Sequence, residues 1–391
     1  MKIESIKIKN FRTLYDVELK GIPPLAVFVG RNGSGKSTLF DVFAFLKDAL
    51  RNNVTVALQK LGGYKQVASR GHGGQPIVLE IKFRASDMDG RYILEISNGE
   101  NGPVVKNEYL DDGEHLFEFE EGQGFVQGYR GVPNFPAGEE VHTLTEEGVS
   151  GSWQLLHSPD ILALKGFGQF KNFTGASALR SFIENWQIFD FHIDSARERA
   201  PVGVDEHLSE KGENLAVVVQ NLYEKDRKTF DEILEKFKNR IPDISKVSTS
   251  VTADGHVLLH FQDGAFKDPF LARHVSDGTI KMFAYMVLLH DPKPHPFLCI
   301  EEPENQLYPD MLGALVGELR DYAKRGGQVF VSTHSPDMLN ETEIEEAFLL
   351  KRIGGITGIE PLAANEQIKA LIDGGDKLGW LWRQQLLTQE I

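Results

Sequence analysis

The stretch Gly30-Arg31-Asn32-Gly33-Ser34-Gly35-Lys36-Ser37-Thr38 constrains this chain more than any other. It fits G-x-x-x-x-G-K-[ST], and its surroundings agree with that spacing. The apolar run Leu25-Ala26-Val27-Phe28-Val29 leads into it as a buried strand. A helical pattern leaves it, with Leu39, Phe40, Val42, Phe43, Leu46 and Leu50 on one broad face. Strand, glycine loop and helix together make a phosphate cradle. Glycines let backbone N–H groups close on an anion, and the helix start adds partial positive charge. Gly30, Asn32, Gly33, Ser34, Gly35 and Thr38 form the loop and the first turn. Lys36 is placed to reach the β- and γ-phosphates, and Ser37 to put a hydroxyl on Mg²⁺.

The chain has 391 residues, room for one large core or for a core with an inserted lobe. Its N-terminus, Met1-Lys2-Ile3-Glu4, alternates charged and apolar residues and reads as a strand rather than a signal peptide. No apolar run approaches a membrane span. Cys299 is the one cysteine, so there is no disulfide framework and a cytoplasmic setting is expected. It lies in an apolar strand and reads as core. The net charge of −15 argues against a surface that is basic all over, though not against a local basic groove. No sustained heptad pattern predicts a coiled-coil arm.

Taken in order, residues 2–8 alternate and pair with a second strand around Val17 and Leu19. A short helix spans 54–61. Segments 77–83 and 91–96 form a hairpin about Asp87-Met88-Asp89-Gly90, an Asp-x-Asp that reads as a turn rather than a metal pair. Further strands at 104–110, 116–119 and 125–129 extend an antiparallel layer, and 132–158 reads as loop. A helix over 176–186, a strand over 187–193, an irregular stretch over 195–213 and two amphipathic helices follow, the latter over 215–222 and 229–239. A hairpin then spans 247–261. The chain returns to α/β order with helices at 277–289 and 311–322 and strands at 297–300 and 329–332. A pair of strands near 347–362 and two closing helices complete it. The organisation expected is an N-terminal part of a head (1–149), an inserted, partly helical lobe (150–245) and a C-terminal part of the same head (246–391).

Two strand ends carry chemistry. Phe297-Leu298-Cys299-Ile300 ends in Glu301 and Glu302, and strand ends of α/β sheets are where ligands bind. Glu301 is placed to hold the Mg²⁺ shell, and Glu302 to polarise an attacking water as general base. Val329-Phe330-Val331-Ser332-Thr333 ends in His334, whose imidazole can donate to a γ-phosphate.

The order of these motifs resembles an ABC-type ATPase of the SMC/RecF/OLD group, and most closely the small bacterial predicted AAA family ATPases within it. The resemblance rests on the phosphate loop, a long insertion, Val275-Ser276-Asp277-Gly278-Thr279, the apolar strand into Glu301-Glu302-Pro303, and Ser332-Thr333-His334-Ser335-Pro336. The opening Ile6-Lys7-Ile8-Lys9-Asn10-Phe11-Arg12 and the ending Gly374-Gly375-Asp376-Lys377-Leu378-Gly379-Trp380-Leu381-Trp382 are similar too. It covers roughly residues 1–83 and 245–391. It implies an α/β, P-loop NTPase head of ABC type with an antiparallel β layer and a mixed inserted lobe, using ATP and Mg²⁺. Ser276, Gly278 and Thr279 would contact the γ-phosphate bound by a second subunit, with Asp277 where the usual signature has a glycine. Glu301 stands where many relatives have Asp. Arg12 matches an arginine near the phosphates, and Gln66 is the candidate for a metal- or water-contacting glutamine.

The mechanism this implies is ATP-driven head-to-head assembly into a homodimer or larger homo-oligomer, with hydrolysis releasing it. The stretch after His334 holds no paired-carboxylate strand of Toprim type. The expectation is therefore an ATPase that gates a separately encoded effector, plausibly a Toprim-like nuclease, in defence against phage or foreign DNA. A RecF-type ATPase of DNA repair that binds nucleic acid, and a slowly hydrolysing nucleotide-gated scaffold, are the alternatives.

Overall fold

The architecture follows from two hydrophobic periods in the chain, one of two residues and one of nearly four. A computed structural model describes residues 1–85, 88–128 and 150–388. The chain sorts into two interleaved units, one of Met1–Pro23, Val29–Trp186 and Phe348–Pro361, the other of Pro24–Phe28, Gln187–Ala347 and Leu362–Ile391.

The first unit is built on an antiparallel sheet. Its strands lie in the order Leu14–Lys20, Lys2–Phe11, Ile77–Ala85, Met88–Gly99, Gly102–Asp111, His115–Glu120, Gln123–Gly128 and Ser150–Leu155. Ile6, Ile8, Leu79, Ile81, Tyr92 and Leu94 alternate with more exposed neighbours along three adjacent strands, and they pair in register as Ile8↔Leu79↔Leu94. One-sided burial of this kind fixes strand register, because a slip of one residue would turn the apolar set to solvent. The opening pair and the hairpins at 77–96 and 104–128 are as the sequence predicts. The reading of 132–158 as loop needs correction, because Ser150–Leu155 forms a strand paired with Gln123–Gly128. The alternation there is masked by the glycine and serines of Ser150-Gly151-Ser152. The remainder of that reading, residues 132–149, lies outside the described residues, as does Asp87 of the Asp-x-Asp turn.

The helix Lys36–Arg51 packs its wide apolar face in this unit, and Trp186, fully buried, meets Phe43 edge-on with centroids 5.4 Å apart. Short helices follow at Val54–Lys60, Tyr64–Val67 and Ala163–Phe167, with a longer one at Thr174–Glu184. A closing hairpin, Ala347–Ile353 with Ile356–Pro361, returns late in the chain to this unit.

The second unit holds the strands Trp186–Phe189, Phe297–Glu301, Gln328–Thr333 and Leu25–Val29 in that order. Phe297–Glu301 and Gln328–Thr333 run parallel, with Glu301 opposite Ser332. Parallel strands buried on both faces read as continuous apolar runs, and Phe297 to Ile300 and Val329 to Val331 are fully buried. Phe330 is clamped edge-on by Phe28 and Phe297, at 5.1 and 4.8 Å. The helix Asp277–Leu289 is buried nearly all round. It is tied by Phe283 to Phe237 of the helix Arg227–Arg240 and to Phe261 of the strand His256–Asp263. The predicted strand over 187–193 is shorter, Trp186–Phe189, and a helix Ile193–Arg197 follows it inside a stretch expected to be irregular. Cys299 is buried core, as read. Among the described residues no helix is long and apolar enough to cross a membrane.

Glu108 illustrates how the first unit disposes of a buried charge. It is fully buried on Gly102–Asp111, and it accepts hydrogen bonds from the Tyr92 hydroxyl at 2.9 Å and the backbone N–H groups of Ala163 and Leu164. It thereby anchors the start of Ala163–Phe167. Burial pushes its carboxyl up to about 7 against these donors. A raised folded pKa means stability is fully present below the unfolded value and lost as pH rises toward 7. Thermal denaturation of Glu108→Gln and wild type across pH 4.5–8 should therefore show wild type losing ground to the variant by roughly 3 kcal/mol as pH rises. A pH-independent difference would contradict this.

Candidate nucleotide-binding and switch residues

The phosphate loop begins where the apolar strand Leu25–Val29 ends. Gly33 and Gly35 have φ of 76° and 107°, in the left-handed region. At Gly33 an added Cβ would meet nothing within 4 Å, whereas at Gly35 it would stand 2.5 Å from Thr357 Oγ1 and 3.0 Å from Thr13 Oγ1. Glycine at position 35 is therefore required by both conformation and space. The Lys36 ammonium is buried and donates to the Gly30 carbonyl at 2.8 Å, so the lysine is held across the mouth of its own loop. Ser34 N–H closes the loop on Arg31 O at 3.0 Å. The first helical bond runs from Leu39 N to Gly35 O, so the N–H groups of Lys36, Ser37 and Thr38 stand ahead of the helical ladder. Those are the donors an anion takes at a helix start. Ser37 and Asn32 are exposed beside them. The loop thus fits a triphosphate, with Ser37 available to a magnesium ion.

Residues that local motif reading missed support this loop from the hairpin 347–361. Thr357 Oγ1 donates to Ser34 O at 2.7 Å, and Arg352 Nη1 to Gly33 O at 3.3 Å. They lie more than 300 positions along the chain and carry no local signal. Arg12, with φ of 49°, pairs with Asp41 on the helix Lys36–Arg51, one turn past Ser37. Burial pushes the Asp41 carboxyl up, and the Arg12 charge opposes that. Gln66 sits exposed on the short helix Tyr64–Val67. Thr357→Val should remove the bond to Ser34 O and weaken Mg-ATP binding by about fivefold, in line with a net ~1 kcal/mol hydrogen bond. Fluorescent-nucleotide titration is the check, and unchanged affinity would show the loop keeps its shape without Thr357.

In the second unit the two predicted strand ends meet. Glu302 follows Glu301 with φ of 40°, a left-handed conformation that is costly for a residue with a Cβ. Its N–H bonds Ser332 O at 3.0 Å, continuing the parallel pairing by one residue. His334 Nδ1 lies 3.1 Å from Glu302 Oε1, and Asn305 Nδ2 donates to Glu302 Oε2 at 3.1 Å. The residues assigned from sequence as base and γ-phosphate contact are thus direct neighbours. Glu304 was not singled out by the motif, yet it is 8% exposed, and its Oε1 accepts from Thr333 Oγ1 at 2.6 Å and His334 N–H at 3.0 Å. Trp382 Nε1 donates to His334 O at 3.1 Å. The helix Leu378–Arg383 can approach because Gly379 has no side chain; a Cβ there would lie 1.8 Å from Pro336 O.

The helix Asp277–Leu289 starts with Ser276 as N-cap. Ser276 is exposed, its Oγ 2.7 Å from Thr279 Oγ1, and Gly278 lies against Gln306 O, 3.0 Å from where a Cβ would stand. Asp277 puts an anion in the first turn of this helix. Arg197 answers that charge at 2.6 Å, while also donating to Val275 O. Four residues on, Lys281 donates to Asn305 O at 2.8 Å. Burial lowers its pKa to about 8 despite Glu304, Asp190 and Glu302 nearby. A chain of bonds therefore runs from the helix through Asn305 to Glu302.

Comparison with known proteins places this arrangement. The family described as AAA domain, putative AbiEii toxin, Type IV TA system matches residues 25–132 and 168–340, well over half of the chain. The chain belongs to that family. The DNA replication and repair protein RecF of Heliobacterium modesticaldum is 32% identical over 90 residues, a match spanning 21% of this chain and only 23% of RecF. An SMC head crystallised with the C-winged helix domain of ScpA superposes with a TM-score of 0.55 at 13% identity, covering 92% of this chain and 98% of that one. An SMC head with an extended coiled coil, bound to the C-terminal domain of ScpA derived from Pyrococcus furiosus, gives 0.51 at 12% identity, covering 96% and 99%. Identities this low speak for fold alone. The fold is the P-loop, ABC-type head expected, and the family is one of AAA-domain proteins.

Proposed function

We propose that this AAA-family protein binds and hydrolyses ATP, and that ATP joins two copies head to head. The observation that carries the reading is the Glu302–His334 pair, 3.1 Å apart at the ends of adjacent parallel strands. A carboxylate held by a histidine on one oxygen and an asparagine on the other is oriented to take a proton from water. In this reading Gly30, Asn32, Gly33, Ser34, Gly35, Lys36, Ser37 and Thr38 hold the phosphates, and Arg12 orders the helix behind them. Ser37 and Glu301 hold Mg²⁺, with Gln66 as a further contact. Mg²⁺, when bound, neutralises charge on the phosphates. Glu302 activates water, and His334 contacts the γ-phosphate and passes its presence to Glu302.

Ser276, Gly278 and Thr279 face the nucleotide held by the other copy. The support is the exposed Ser276 at the start of a full-length helix and the neutralisation of Asp277 by Arg197. Hydrolysis removes the γ-phosphate contacts and frees the two copies, a two-state element biased by nucleotide. Light scattering should show ATP converting monomer to dimer, with Glu302→Gln staying dimeric while wild type returns. Turnover in that variant should fall by about 10²–10⁴-fold with ATP binding retained. A mass unchanged by ATP in both proteins would refute the assembly. Arg197→Ala leaves Asp277 uncompensated and should weaken ATP-driven association by about tenfold without altering nucleotide affinity of the monomer. Equal association of variant and wild type would remove the role given to Arg197.

The cycle, in this reading, works in the cytoplasm and gates a separately encoded effector, a Toprim-like nuclease by class, in defence against foreign DNA. The family's description as a putative toxin of a Type IV TA system is in keeping with a two-protein system. Affinity capture from the native host with ATP-trapped Glu302→Gln recovers that effector if the reading holds; recovery of no second protein counts against it. The RecF match favours one rival, a DNA-end-binding repair ATPase. That rival requires DNA-stimulated turnover with a steep salt dependence, against which the net charge of −15 weighs.

A further inference from the structure

His207, Asp291 and His295, none of them assigned to the ATP machinery, bring three metal-ligating atoms within 4.8 Å of one another. His207 lies on the irregular stretch between Ala200–Pro201 and the helix Leu215–Lys225. Asp291 and His295 lie on the turn between Asp277–Leu289 and Phe297–Glu301. The Asp291 side chain is 7% exposed, and its Oδ2 stands 2.7 Å from His207 Nδ1. The two imidazole rings lie tilted at 48° with centroids 4.9 Å apart. We propose that His207, Asp291 and His295 form a binding site for a divalent transition metal, Zn²⁺ by ligand chemistry, that staples the 202–214 segment to the turn before the carboxylate-bearing strand.

The donor set decides the class of ion. Two imidazoles, with one carboxylate beside them, suit Zn²⁺ and its neighbours, whereas Mg²⁺ and Ca²⁺ take an all-oxygen set. Three protein ligands with one position left to water is a four-coordinate arrangement zinc adopts. Ligand atoms around zinc stand about 3.3 Å apart, so small side-chain rotations suffice to close the set. The supports behind the ligands are in place. Asp291 Oδ1 accepts from Lys293 N–H at 2.8 Å, which leaves Oδ2 toward the histidines. The backbone of His207 is fixed by Asn214, whose Nδ2 donates to His207 O at 3.0 Å and whose Oδ1 accepts from Ser209 N–H at 2.9 Å. The His295 carbonyl accepts from the Tyr322 hydroxyl. Ligands whose own backbones are held by a surrounding shell bind metal at little cost in order. Charge agrees too: Glu206 is bonded to Lys293 at 2.7 Å, so the neighbouring cation is already matched and does not oppose a metal. The metal belongs to the end of Phe297–Glu301 away from Glu301, so its role is structural rather than catalytic.

The test uses the full-length chain, stripped with chelator and titrated with Zn²⁺, and with Co²⁺ as the visible probe. One equivalent of Zn²⁺ per chain with Kd below about 10 µM, the d–d absorption of four-coordinate Co²⁺, and a melting temperature raised by about 5 °C at hundredfold excess over Kd are expected. His207→Ala and Asp291→Asn should each lose the equivalent and the absorption. Asn keeps an oxygen for the Lys293 turn, so that variant reports the ligand rather than the fold. His157→Gln, an exposed histidine outside the cluster, should keep both. Absence of saturable uptake by wild type, or an equivalent retained by both cluster variants, would overturn the site and leave His207 and Asp291 as a plain hydrogen-bonded pair.

Discussion

The carboxylate of Glu304 is the interaction on which the candidate catalytic region depends. One oxygen accepts from the Thr333 hydroxyl and from the His334 N–H, and so fastens the turn after one parallel strand to the end of the next. Glu302 and His334 are near each other because Glu304 holds the two strand ends at a common level. Only Oε1 is satisfied, Oε2 being buried without a hydrogen-bond partner among the described residues, and the group is costly to replace because the donors to Oε1 would be orphaned. Trp382 then holds the same histidine from its carbonyl side, and Gly379 allows the helix carrying Trp382 to come within reach. The helix Leu378–Arg383 is thereby tied to the turn that carries His334.

A similar logic governs the phosphate loop. Its shape is set by glycines whose angles no other residue adopts cheaply, but its position is set by a hairpin far along the sequence. Thr357 occupies the space that Gly35 leaves and bonds the loop backbone. Nucleotide affinity is accordingly a property of the fold of the first unit as well as of the motif. The Asp277–Arg197 pair makes the same point in the second unit, since the charge at this helix start is matched by a partner eighty positions earlier in the chain.

What was legible in the sequence is what is local or strongly periodic. The phosphate loop, the strand ending in Glu301 and Glu302, the strand ending in His334 and the helix over 277–289 stand where the residues place them, because each couples a hydrophobic period to a motif at its end. The strand at 150–155 was hidden, since glycine and serine carry little β signal and pairing with 123–128 supplies what the side chains do not. Thr357, Arg352, Arg197, Glu304 and Asn305 act through contacts that spacing alone does not reveal. The His207, Asp291 and His295 group was equally invisible, its members drawn from segments with no periodicity at all.

Glu302 holds a left-handed backbone angle of 40° with a Cβ and a charged side chain attached. Glycine would occupy that angle without strain, so a chain shaped by stability alone would carry glycine there. The glutamate therefore marks a position where the protein gives up folding free energy to keep a carboxylate beside His334. At this one site the most stable sequence and the working sequence are different sequences.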